Sequence, residues 1–233
     1  EILCLNSTAR VSFGIYNEIE DIDRFIDALK KVFKGERLEK LLHMYSENEL
    51  GQELAVAPAS GKLNFHNAYV GGYIDHILNV ARNAHKIKKL YEEGGGFINF
   101  TDEEMFFAAF HHDLGKLGDG VEPYYIPQTS EWHQKNKKEF FVHNPKLQYF
   151  DVTDRAFYLL NKYGITYTQK EQLGIMMADG LYNEATKKYW ISYNEDFQLK
   201  TDLPYILHWA DCMSTRQENS EYRIKNGIYD KMS

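Results

Sequence analysis

Apolar side chains recur at helical spacing along most of this chain, and that pattern restricts the fold to one built mainly from α-helices. The clearest example runs from Tyr73 to Tyr91, where a long amphipathic helix is followed by Gly94, Gly95 and Gly96, which end it. The same spacing predicts shorter helices over residues 38–44, 105–114, 152–163, 169–178 and 203–218. Two of these begin with capping-box patterns, Thr101…Glu104 and Thr168…Glu171.

The segments between these helices carry different signals. Residues 51–67 are rich in turn-forming residues, and residues 118–148 read as a long aromatic loop with two histidines. Loops of that length inside a compact domain are usually functional, so this one is a candidate substrate lid. Aromatic and β-branched residues at 189–193 predict a short strand or hairpin.

The first 34 residues differ from the rest. Residues 9–16 are rich in β-branched and aromatic side chains, which predicts a strand, and Asn17 can cap a following helix that reaches Val32. If this helix folds onto the remainder of the chain, its buried face comprises Ile22, Phe25, Ile26 and Leu29. We therefore expect a βα appendage over residues 1–34 and a single helical domain over residues 35–233.

Composition excludes several classes of function. The chain has 27 Lys and Arg against 34 Asp and Glu, a formal charge of −7, which gives no broad footprint for nucleic acid or for an anionic membrane surface. Apolar runs are too short for a membrane helix, and no secretory signal is visible. Two distant cysteines, Cys4 and Cys212, fit a reducing compartment, so a cytoplasmic location is expected.

Four residues on three predicted helices stand out as candidate metal ligands: His76, the adjacent pair His112 and Asp113, and Asp211. Each lies beside apolar helical sequence, where burial is costly for a polar group unless it is paired or bound to a metal. For any one of these residues taken alone, the alternative is a polar residue of the core that forms its hydrogen bonds within the protein and binds no metal. A combination of imidazole and carboxylate ligands suits Mn, Fe, Co, Ni or Zn and also allows Mg. The ligand types alone do not distinguish among these metals.

The segments around these residues resemble a known family. Gly71-Gly72-Tyr73-Ile74-Asp75-His76, then His112-Asp113-Leu114-Gly115-Lys116, then Ala210-Asp211 are similar to the motifs of the HD-domain metal-dependent phosphohydrolases. The similarity extends over about residues 36–217. Residues 1–34, with Arg10, Ser12, Tyr16 and Asn17, resemble the C-terminal segment of cysteine desulfurases and related class V aminotransferases, without their cofactor-binding lysine.

The HD resemblance implies a helical bundle in which His76, His112, Asp113 and Asp211 hold a divalent metal. It also implies hydrolysis of a phosphate ester or anhydride by a metal-activated water, with Asp113 in the catalytic centre. Lys116 would supply positive charge for the phosphoryl oxygens and contact the substrate. One ion is expected, and a second remains open because dinuclear relatives use two further histidines, for which His133 and His143 are the candidates.

Other residues carry alternatives. His133 could instead bind phosphate or act as a general acid, and Trp132 could stack on a base, although loop aromatics more often pack the loop onto the body. His111 and His208 are candidates for support of the ligands. Asp179 stands where a dinuclear relative would carry a histidine, which weakens the two-metal interpretation.

The leading hypothesis is a phosphohydrolase acting on a nucleotide or a similar small phosphorylated molecule. The alternatives are a 3′-to-5′ exonuclease or cyclic-nucleotide phosphodiesterase that uses the same metal, a di-iron oxygenase of the HD type that needs the second ion, and a degenerate HD module with a binding role. The net charge of −7 favours a small phosphorylated substrate over a long nucleic acid.

Overall fold

The fold is mainly α-helical, as predicted. The computed structural model describes residues 15–192 and 194–228. The helices are α1 (Ile15–Val32), α2 (Gly35–Met44), α3 (Gly51–Val56), α4 (Gly72–Glu93), α5 (Asp102–His111), α6 (Glu131–Lys137), α7 (Val152–Lys162), α8 (Gln169–Met177), α9 (Lys187–Trp190) and α10 (Leu203–Lys225). Two short strands, β1 (Tyr125–Pro127) and β2 (Phe141–His143), form an antiparallel pair. Single 3-10 turns cover Leu114–Leu117, Gly180–Tyr182 and Glu195–Phe197.

The chain divides into two compact units, each made from two separate segments. Of the described residues, unit 1 contains those up to His76 and the segment Gly115–Thr166, and unit 2 contains Ile77–Leu114 and those from Tyr167 onward. The helix α4 begins in unit 1 and continues without interruption into unit 2.

In unit 1, α1 packs against α2 and α3. The four residues predicted to form its buried face, Ile22, Phe25, Ile26 and Leu29, are all buried, so this prediction is confirmed. The ring of Phe25 meets that of Tyr45 edge-on, with centroids 5.0 Å apart. The predicted strand fails in part, because Ile15 and Tyr16 already belong to α1, and residues 9–14 lie outside the described residues.

The predicted long loop of unit 1 is more ordered than expected. Residues 118–148 contain β1, α6 and β2, and Ile126 pairs with Val142 in the sheet. The backbone of Gly61 joins this structure by accepting a hydrogen bond from the amide of Phe140 at 2.9 Å. Such short strands are specified by pairing with distant segments, which local sequence does not reveal. The helix α3 also differs from the prediction, because it lies within residues 51–67, which were predicted to form turns.

In unit 2, α8 packs against both α5 and α10. A Cβ on Gly174 would lie 2.9 Å from that of Ala108, so glycine permits the close approach of α8 to α5. Both predicted capping boxes are present. Glu104 completes the first of them and also accepts a hydrogen bond from the Thr168 hydroxyl at 2.9 Å, which connects the N-terminal ends of α5 and α8.

The strand predicted at residues 189–193 is wrong, because Tyr189 and Trp190 lie in the short helix α9, and residue 193 is outside the described residues. Trp190 packs edge-on against the ring of Tyr205 in α10, with centroids 4.9 Å apart. Trp190 is half-buried, and its ring contacts a helix instead of lying in a strand. The helix α10 is also longer than predicted and ends at Lys225 instead of residue 218.

Candidate metal centre

The C-terminal end of α5 presents His112 in a fixed orientation. His112 caps the helix, is 4% exposed, and its backbone amide donates to the carbonyl of Ala108 at 2.9 Å. Its Nδ1 lies 2.9 Å from the carbonyl oxygen of Ala109. Because a carbonyl only accepts, Nδ1 carries the proton and Nε2 presents its lone pair to the site.

Two carboxylates lie close to that lone pair. The Nε2 atom of His112 is 3.7 Å from an oxygen of Asp113 and 3.8 Å from an oxygen of Asp211 in α10. These distances are too long for hydrogen bonds. Ligand atoms that each stand about 2.0–2.2 Å from one ion lie roughly 3–4 Å from each other, so the spacing fits ligands of a common metal.

His76 lies near the start of α4, in the same helical turn as Ile77, with which unit 2 begins. One ligand atom each from His76, His112 and Asp211 lies within 4.8 Å of the others. The helices α4, α5 and α10 thus bring together three of the four predicted ligands, and Asp113 adjoins His112. Their role as metal ligands stays a prediction.

The chemistry of these donors fits a divalent transition metal. In the forms that bind a metal, two imidazoles and two carboxylates together carry two negative charges, and His76, His112 and Asp113 are buried. Buried carboxylates are stable when a positive charge compensates them. Imidazole and carboxylate together suit Zn, Fe, Co, Ni or Mn. Buried His, Asp and Glu side chains of this protein therefore form groups that could hold a metal ion.

Sequence reasoning missed two residues. His66, His76 and Glu218 form a second group of potential ligands, and the rings of His66 and His76 have centroids 4.7 Å apart. Glu218 lies seven residues after Asp211, which places it on the same face of α10 two turns later. That spacing was the available signal for Glu218, whereas His66 had only its place in the lead-in to the predicted motif.

Lys116 lies in the 3-10 turn that follows His112 and Asp113. Its Nζ donates a 2.8 Å hydrogen bond to the carbonyl oxygen of Ala59, and its side chain is half-buried. This bond joins two segments of unit 1. The predicted catalytic and substrate-binding role of Lys116 stays a prediction.

His133 and Trp132 lie in α6 of unit 1. Ser130 caps this helix by accepting from the amide of His133, and its hydroxyl is 2.9 Å from Nδ1 of the same residue. Trp132 is 58% exposed, and Nζ of Lys137 lies 5.5 Å from its ring centroid. His143 ends β2 and meets the ring of Tyr124 edge-on. Neither His133 nor His143 belongs to a group of three potential ligands within the described residues.

His208 lies three residues before Asp211 and faces the end of α8. Its Nδ1 is 2.8 Å from the carbonyl oxygen of Ala178. The carbonyl again fixes the proton on Nδ1. The imidazole lies against Gly180, directly after Asp179, and Gly180 has a φ of 58°. Asp179 caps the 3-10 turn without a hydrogen bond from its side chain to that turn.

Replacing Gly180 with alanine is expected to displace His208 and to destabilise the protein. A Cβ there would overlap the imidazole ring, and the left-handed backbone itself costs about 1–2 kcal/mol for a residue other than glycine. The measurement is the free energy of unfolding from urea denaturation. Gly35→Ala is the matched control, because Gly35 has a φ of 57° and nothing within 4 Å of its Cβ position. Equal losses in both variants would show that the ring contact with His208 contributes nothing.

Comparisons of this chain with protein-family models, with curated proteins and with solved structures find no match. In the part of the chain that the structure describes, no helix is both long and apolar enough to cross a membrane. A function is therefore proposed from the side chains described above.

Proposed function

We propose that this protein is a metal-dependent phosphohydrolase that acts on a nucleotide or a similar small phosphorylated molecule. The observation that carries the proposal is the convergence of His76, His112 and Asp211, of which the two histidines are buried, with Asp113 beside them. The resemblance of the surrounding motifs to the HD-domain phosphohydrolases supports the same conclusion.

His76, His112, Asp113 and Asp211 would hold the ion. A divalent metal in this position would lower the pKa of a water molecule and polarise a phosphoryl oxygen. The carbonyl of Ala109 keeps His112 in the tautomer that can bind, and the rigid end of α5 fixes the ring before any ion arrives. His76, His112 and Asp113 are buried, which strengthens their electrostatic interactions, whereas Asp211 is partly exposed to solvent.

Within this proposal, the exposed ring of Trp132 is the candidate for stacking on a nucleobase, and a nucleotide is proposed on that ground. This exposed ring has the cation of Lys137 beside it, and Lys135 follows one helical turn after Glu131. An aromatic face binds nucleobases by stacking, and lysines attract phosphate. The net charge of −7 disfavours a long nucleic acid. We assign substrate binding to Lys116, Trp132 and His133 within this proposal.

The test is a metal and substrate screen of the purified protein. After treatment with a chelator, the protein is loaded separately with Mn, Co, Ni, Zn, Mg or Fe, and the bound metal is counted. Each form is assayed for phosphate release from nucleoside mono-, di- and triphosphates, and for cleavage of cyclic nucleotides and short RNA. We expect about one ion per chain and release of phosphate from a nucleotide with at least one metal. A protein that binds metal but cleaves none of these compounds would contradict the proposal.

The outcome also separates the alternatives. Cleavage of cyclic nucleotides or RNA without phosphate release would indicate a diesterase with the same ligands. Two irons per chain would favour the oxygenase.

A further inference from the structure

Polar residues of unit 2 follow the candidate ligands along the helices α4 and α10. On α4, Asn79 and Asn83 lie three and seven residues after His76, and on α10, Ser214 and Glu218 lie three and seven residues after Asp211. Residues at these spacings share one face of a helix. Each helix therefore carries its ligand and a row of hydrogen-bonding groups on the same face.

Asn83 is the centre of this polar contact. Its side chain is 3% exposed, and its Nδ2 donates to the hydroxyl of Ser214 at 2.8 Å and to the side-chain oxygen of Gln217 at 2.9 Å. An amide nitrogen has two protons, and each has a partner here. This geometry defines the position of α4 against α10 more strictly than apolar contacts would, because buried hydrogen bonds are costly to leave unmade.

Ser214 transmits this contact to the backbone beside Asp211. Its hydroxyl donates its only proton to the carbonyl oxygen of Ala210 at 2.7 Å, and its lone pairs accept from Asn83. Ala210 immediately precedes Asp211. The amide of Asn83 is therefore two hydrogen bonds away from the peptide group that carries the candidate ligand.

A second contact reinforces the first. Nδ2 of Asn79 donates to Glu218 at 2.9 Å, and the side-chain oxygen of Asn79 accepts from the guanidinium of Arg82 at 2.8 Å. Asn79 is thereby oriented with its nitrogen toward α10. Both asparagines of α4 donate to α10, one turn apart.

We propose that Asn83 is a positioning residue of the metal centre, acting through Ser214 on the placement of Asp211. The inference rests on the metal-binding part of the proposed function. Groups that orient metal ligands typically change metal affinity by about 10–100-fold when they are removed. Asn83 touches neither the ion nor the substrate in this scheme, and its effect comes from the placement of α10 relative to α4.

The test compares three single variants of the full chain. Asn83→Leu removes the donors at similar volume, and Ser214→Ala removes one hydroxyl that is fully buried. Tyr91→Phe is the control, because it removes a bond from α4 to Asp202, the N-cap residue of α10, at 2.9 Å and four turns from His76. The dissociation constant for Co²⁺ is measured by titration, the visible absorption of bound Co²⁺ reports ligand geometry, and urea denaturation in EDTA reports stability without metal.

We expect Asn83→Leu and Ser214→Ala to weaken Co²⁺ binding about 10–100-fold and to alter its absorption spectrum. Tyr91→Phe should leave both within about threefold of the original protein, because the lost bond is far from the ligands. Should Asn83→Leu fail to fold, Ser214→Ala alone decides the question.

Unchanged Co²⁺ affinity and absorption in a folded Ser214→Ala variant would overturn the inference, and the proposed phosphohydrolase would stand. A wild-type protein that binds none of the metals would overturn both.

Discussion

Replacing His112 with alanine is expected to abolish metal binding and, with it, phosphate release. The substitution removes the imidazole whose Nε2 lies 3.7 Å from Asp113 and 3.8 Å from Asp211, so the candidate site loses one of its nitrogen ligands. We expect the metal dissociation constant to rise by more than about 100-fold, beyond the usual effect of losing a group that only supports a ligand. Asp113→Ala should behave in the same way.

Metal content after dialysis and the rate of phosphate release measure this effect. The control is His43→Ala, because His43 has an exposed side chain in α2 and lies 3.9 Å from Glu49. It should leave both quantities unchanged. Full metal content and activity in a folded His112→Ala variant would refute the assignment of the site.

The largest loss of stability is expected from Arg155→Ala in unit 1. Arg155 is 1% exposed, and its guanidinium donates to the carbonyl of Gln148 at 2.7 Å. The guanidinium carbon lies 6.0 Å from the ring centroid of Tyr124 and 5.5 Å from that of Phe150. Burial lowers the pKa of Arg155, and the nearby charge of Asp119 opposes that shift. Truncation leaves a large cavity and removes the hydrogen bond that holds Gln148, at the end of residues 118–148. The free energy of unfolding should therefore fall by about 3–5 kcal/mol.

Two comparisons identify the cause of that loss. Arg155→Met keeps the length of the side chain and removes its charge, so it should cost less than Arg155→Ala if packing dominates. Arg24→Ala removes an exposed pair with Asp21 and should cost no more than about 0.5 kcal/mol. The free energy of unfolding from urea denaturation measures all three. An Arg155→Ala variant as stable as Arg24→Ala would refute the packing role of Arg155.

Much of the helical structure is predictable from the sequence. The long helix before Gly94 and the capping boxes at Thr101 and Thr168 are present because their signals are local. An apolar stripe and a capping side chain act within one helix, whatever surrounds it. The choice of His112 and Asp211 also followed from local sequence, and the structure places these two residues together.

The features that were missed depend on distant parts of the chain. Trp190 was expected in a strand because residues 189–193 are rich in aromatic and β-branched side chains. In the structure it lies in a helix, and its ring packs against that of Tyr205. The pairing of Ile126 with Val142 is a contact between segments, which no local signal specifies. Glu218 belongs to a group of potential ligands only because α4 lies against α10. Tertiary contacts thus override or complete the local preferences at each of these residues.

The division of the chain has a consequence for synthesis on the ribosome. Unit 1 requires the segment that begins at Gly115, although its first part ends at His76, and unit 2 resumes only at Tyr167. Neither unit can thus complete its contacts until a later, non-adjacent segment has emerged, and each must close a loop that contains part of the other. Folding should therefore be late and cooperative along the nascent chain, and a truncation between His76 and Gly115 would leave both units incomplete.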